Sequence, residues 1–130
     1  MTALTLAHAE ALAKRALAAA RARGLNPMSV AVVDASGNLK VALREDGAGL
    51  VGIEIALGKA RAALSFGCSS RQIADALSGN PLAAQSVLAN QAGRLVLLAG
   101  GVLIPDLGAI AAAGDAPDND EAIVAEAVSV

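Results

Sequence analysis

From Thr2 to Arg23, the positions Leu6, Ala9, Leu12, Ala13, Ala16, Leu17 and Ala20 recur on one face of a helix, with Thr5 ahead of them as a cap. Gly24 closes this predicted helix, and Asn26-Pro27 turns the chain. Met28 to Val33 is an unbroken run rich in β-branched residues, which predicts a buried strand. Turn residues fill 34–38, after which Leu39, Val41 and Leu43 alternate with Lys40, Ala42 and Arg44. That pattern predicts the second strand of a hairpin, half exposed. A second helix is expected from about Gly49 to Leu64, ending near Gly67. Ser69 and Gln72 have capping-box spacing and open a short helix through Leu77. Ser78-Gly79-Asn80-Pro81 breaks the chain again, and Leu82 to Asn90 fits either a helix or an irregular loop.

In the last third, Leu95 to Ala99, Gly101 to Ile104 and Leu107 to Ala113 predict three short strands joined by glycine and Pro-Asp turns. Asp118 or Asn119 then caps a final helix with Glu121 in its first turn and Val128 near its end. Strands that follow one another through tight turns imply an α+β fold with a mainly antiparallel sheet of about five strands. Residues 1–130 are expected to form one domain.

Composition changes this picture in one respect. Hydrophobic residues make up 55% of the chain, yet it has one Phe and neither Trp nor Tyr. Small aliphatic side chains must therefore fill the core, with helices and sheet close together. So much apolar content in a small body is expected to reach the surface and be covered in a homo-oligomer. The net charge of −2, with no aromatics to stack bases, argues against a nucleic-acid partner. A single Cys excludes an internal disulfide and a cysteine zinc site. Met1 to Arg23 lacks the layout of a signal peptide, and the apolar run from Leu95 to Ile110 is interrupted by glycines, Pro105 and Asp106. A cytoplasmic protein that does not span a membrane is expected.

Several residues are candidates for chemistry. His8 is the sole imidazole and lies at the margin of the apolar helix face; it reads as a helix-edge residue, a metal ligand or a base. Cys68, just ahead of the capped helix, reads as a small buried apolar residue or a reactive thiol. Asp34, Arg44, Asp46 and Lys59 bracket the hairpin and the second helix. Lys59 lies in a largely apolar stretch, so an inward-facing ammonium would need a carboxylate or an anionic ligand. Glu54, five residues before it, is not on the same face. Asp115, Asp118, Asp120 and Glu121 suit a helix start better than a cation site, because the helix dipole favours acids there. Gly100-Gly101 lacks phosphate-loop spacing, but these glycines and Gly114 let backbone approach a ligand closely.

The segments 29–39, 44–48, 54–60, 100–104, 108–110 and 114–121, taken in that order, resemble the GlcG/HbpS-like, haem-degrading domain family. That family includes the C-terminal domain of PduO-type corrinoid adenosyltransferases. The resemblance implies a profilin-like sandwich, an antiparallel five-stranded sheet flanked by helices, assembled into dimers or larger rings. It also implies haem binding in some relatives and small-molecule chemistry, including a lyase branch, in others. Ala111-Ala112-Ala113-Gly114 departs from the family's Gly-Val-Ser-Gly, removing one glycine and one hydroxyl.

Three readings follow. In the first, the protein binds haem or a related tetrapyrrole, with His8 as axial ligand and Arg44 or Lys59 meeting a propionate. In the second, it is a cofactor-independent lyase or isomerase for a small carboxylate-bearing, aliphatic or aromatic substrate. Lys59 or Arg44 would clamp the carboxylate, backbone N–H groups near Gly100, Gly101 and Gly114 would stabilise charge, and Asp34, Glu54 or Asp118 would move a proton. In the third, it is an accessory oligomer with no ligand.

Overall fold

The computed structural model describes residues 3–130. Helix α1 spans Leu6–Ala22, and Thr5 Oγ1 caps it by accepting the His8 backbone N–H at 3.1 Å. Thr2, where the sequence pattern begins this helix, lies outside the described residues. Strands β1 (Ser29–Asp34) and β2 (Leu39–Arg44) form the expected hairpin, followed by α2 (Gly52–Phe66), which Gly67 ends in a left-handed conformation. Helix α3 (Ser70–Leu77) carries the complete capping box between Ser69 and Gln72. The ambiguous segment becomes α4 (Pro81–Asn90), with Asn80 Oδ1 capping the Ala83 N–H. Strands β3 (Gly101–Ile104) and β4 (Gly108–Ala113) and helix α5 (Pro117–Val128) complete the chain.

The class is α+β as expected, but the sheet has four strands, not five, in the antiparallel order β2-β1-β4-β3. Residues 95–99 are the difference. They lie along α2, where the Val96 N–H donates to Gly58 O at 3.2 Å. Leu95 and Leu97 pack with Ala62 and Ile73 in a small cluster beneath α3 and α4. The apolar run there serves this side cluster rather than a sheet ladder.

The sheet is sandwiched between helices. Met28, Val30, Val32, Ile110 and Ala112 face α1 and α5, where Leu12, Ile123 and Val124 meet them. The opposite face presents Ala31, Val33, Ala109, Ala111 and Ala113 to Ala56, Ala60 and Ala63 of α2. Alanine against alanine draws the helix close to the sheet. At Gly101 the approach is so tight that a Cβ would stand 2.5 Å from Lys59 O. This face uses the small-residue composition, and it tolerates no added bulk. Ala111→Leu is expected to cost about 2 kcal/mol in urea unfolding through overpacking; an unchanged midpoint would contradict this packing.

Candidate functional site

Lys59 is turned inward and only 2% exposed, on the α2 face that meets the sheet. Its Nζ donates to Ala112 O of β4 and to Asp120 Oδ2 of α5, each at 3.0 Å. Asp120 is also 2% exposed, and its Oδ1 accepts the Asp115 N–H at 2.9 Å. One ion pair thus joins α2, β4 and α5. An ammonium has three N–H donors, and the third on Lys59 has no protein acceptor among the described residues. The geometry meets the requirement that a buried lysine find a carboxylate, and that carboxylate comes from within the run of helix-start acids.

The acidic segment in fact divides into three roles. Pro117 occupies the first turn of α5, and its N-cap, Ala116, makes no side-chain cap bond, so neither Asp118 nor Asn119 is the cap. Asp115 accepts N–H groups from Asn26 and Ala116 and the Asn119 amide. Asp118 and Glu121 pair with Arg71 of α3 on the surface. Asp120 alone points into the core. Among the described residues, no group of three or more His, Cys, Asp or Glu side chains is placed to hold a metal ion.

Lys59 and Asp120 line an open cleft of about 620 Å³. Its walls come from Asn26 and Pro27 before β1, from Val51, Gly52 and Ile55 at the start of α2, from Leu98, and from 113–115 at the end of β4. Of the predicted ligand-approach glycines, Gly114 lines the cleft; a Cβ there would meet Pro27 O at 2.4 Å. Gly100 instead makes room for the lysine, since its Cβ would stand 2.7 Å from Nζ. The Gly101 N–H is already donated to Ser70 Oγ at 2.8 Å, so it does not serve a ligand. Ser29 Oγ is buried without a partner immediately behind Gly52.

The remaining candidates lie elsewhere. His8 is exposed in the first turn of α1, thirteen residues and about 20 Å along the helix axis from Arg21 at the cleft end. Asp34 lies at the opposite end of β1 from Ser29, about 17 Å away along the strand. Its Oδ1 accepts the Ser36 and Asn38 N–H groups and shapes the hairpin turn. Glu54 is exposed and does not line the cleft. Arg44 is exposed, donates to Ala48 O at 3.2 Å, and borders a separate depression with Arg21, Glu45 and Asp46. Cys68 is half-buried against the third cluster. Lys59 and Gly114 are therefore brought together at the cleft, while His8, Asp34, Glu54 and Arg44 are not.

Burial pushes the Asp120 carboxyl above the ordinary carboxylate range, against the opposing pull of the Asp115 N–H and the Lys59 ammonium. Asp115 is held below that range, first by the Asn119 amide and then by the N–H groups of Asn26 and Ala116. The two contributions to stability have opposite signs. The folded chain holds the Asp120 proton more tightly than the unfolded chain. Its contribution is therefore full below the ordinary range and declines as pH rises through the raised value. For Asp115 the contribution is present above the ordinary range and is lost as pH falls through the lowered value. Carbon NMR of the side-chain carboxyls is expected to give a midpoint for Asp120 above, and for Asp115 below, that of free aspartate. The reverse order would contradict the geometry.

Comparison with known proteins agrees with the architecture. The crystal structure of HbpS superposes with a TM-score of 0.82 at 34% identity, covering 99% of this chain and 90% of that one. The PduOC–haem complex superposes at 0.85 with 25% identity, covering 98% and 94%. Klebsiella pneumoniae protein ORFY gives 0.86 at 23% identity, covering 97% and 88%, a likeness of fold. No curated protein sequence matches the chain. Residues 4–129 match the family described as haem degrading protein HbpS-like, and the chain belongs to that family.

Proposed function

We propose that this protein binds haem or a related tetrapyrrole, with His8 as the iron ligand. The observation that carries the reading is family membership across 4–129, supported by a relative solved as a haem complex. The donor chemistry of the chain fits. Among the described residues the imidazole, thioether and thiol donors are His8, Met28 and Cys68. Met28 is fully enclosed against the sheet, and Cys68 is half-buried in the side cluster. The His8 imidazole is exposed and has no hydrogen-bond partner among the described residues. Met1 lies outside them. When bound, haem would supply an iron with redox chemistry, and His8 would hold it.

The cation nearest His8 on the same face of α1 is Arg15, seven residues on and half-buried, with its Nε enclosed and without a partner; we take its guanidinium terminus to meet a propionate. Arg44 and Lys59 are at the other end of α1, and Lys59 is already paired with Asp120. We take the protein to be a cytoplasmic homo-oligomer, a dimer or larger ring. Val51 and Leu98, 59% and 49% exposed, line the cleft, and Leu50, 92% exposed, precedes Val51 in the chain; self-association would cover this apolar surface. Among the described residues no helix is long and apolar enough to cross a membrane.

A second reading rests on the cleft: a cofactor-independent lyase or isomerase acting on a small carboxylate-bearing substrate. The third N–H of Lys59 would take the carboxylate. Asp120, whose carboxyl burial raises above the ordinary carboxylate range, would move a proton in place of Asp34, Glu54 or Asp118. Haemin titration separates the two readings. Haem binding predicts a saturable Soret shift at one haem per chain, lost in His8→Ala, and weakened in Arg15→Gln with the band position retained. An unchanged Soret band in His8→Ala overturns the ligand assignment. A featureless titration overturns haem binding and leaves the cleft chemistry as the account.

A further inference from the structure

We propose a second small-molecule site, separate from the Lys59 cleft, for an organic acid with an apolar body and one anionic group. It lies where α2 meets the end of α4 and the β1–β2 turn. A pocket of about 270 Å³ there is lined by Arg61, Arg94, Ser36, Ser65 and Gln91, and no carboxylate is among its lining residues. The Arg94 guanidinium makes no hydrogen bond or ion pair among the described residues; the backbone N–H alone is used, donating to Gln91 O. Arg61 makes only a long 3.5 Å contact from Nε to Gly37 O. The neighbouring acid, Asp34, uses its Oδ1 on the turn N–H groups and pairs with neither arginine. Two guanidiniums converge on one pocket without a counter-charge, and planar forks of this kind are suited to a carboxylate, sulfonate or phosphate.

The pocket adjoins one of about 370 Å³, which has Ser86 and Asn90 at its edge and shares Ser65, Gln91 and Leu95 with the first. Phe66, the one aromatic residue of the chain, and Val87 line this second part. Arg61 and Phe66 are five residues apart on α2, about 7.5 Å along its axis and on different sides of it, and the shared Ser65, Gln91 and Leu95 connect their two pockets. Charge at one end and an aromatic wall at the other fix both the chemistry and the polarity of the ligand. Phe66 is 48% exposed, so the groove is open to a ligand from solvent.

The test uses two fluorescent probes with the same rings, anilinonaphthalene sulfonate and the uncharged phenylnaphthylamine. Both are titrated into the full chain and into Arg61→Gln/Arg94→Gln. Neither arginine makes an ion pair that holds the fold, and a far-ultraviolet circular dichroism spectrum checks that the variant is folded. The proposal predicts saturable binding of the sulfonate at one site per chain, weakened about tenfold or more in the variant. The uncharged probe should bind both proteins equally. Sulfonate binding that is identical in the two proteins, or that never saturates, overturns the proposal.

Discussion

The contact on which the rest of the architecture depends is the buried pair between Lys59 and Asp120. Two charges removed from water are expensive, and each must satisfy its remaining hydrogen-bonding capacity inside the protein. Here Asp120 uses its second oxygen on the Asp115 N–H, and Lys59 adds the Ala112 carbonyl at the end of the central strand β4. Helices from opposite faces of the sheet are thereby tied at one point. The cleft opens where they meet. Such a pair specifies an arrangement more than it stabilises one, because the attraction is largely offset by desolvation.

The close approach of α2 to the sheet makes that pair reachable. Alanines on both surfaces leave little depth between helix and strands, and Gly100 and Gly101 remove the last obstacles around the lysine. A larger residue at either glycine would collide with Lys59 itself. Within this thin layer there is no room for an aromatic ring, and its buried residues are mostly alanine.

Much of this was legible in the residues. The face of α1, the hairpin, the capping box at Ser69 and the stop at Gly67 all have local causes, and local causes are written in short spacings. The segment 95–99 differs from expectation because a short unbroken apolar run looks the same whether it joins a sheet or lies along a helix. Lys59 stood out by its apolar setting, but its partner did not, because Asp120 sits in a run of acids with an ordinary reason to be at a helix start. A signal was present. Asp120, Ile123, Val124 and Ala127 fall on one stripe of α5, and all four are buried. Which ends of the strands share a cleft, and so which of His8, Asp34, Glu54 and Arg44 stay apart, follows from strand order and long-range register that no single segment encodes.

The most direct measurement is a double-mutant cycle in urea with Lys59→Met, Asp120→Leu and the combined variant. Each single change leaves one buried charge without its partner, whereas the double change removes both. The account predicts that the combined variant is more stable than the sum of the single losses by about 2 kcal/mol or more. Losses that simply add would show that the two side chains are not coupled, and would contradict the ion pair as the joint between α2 and α5.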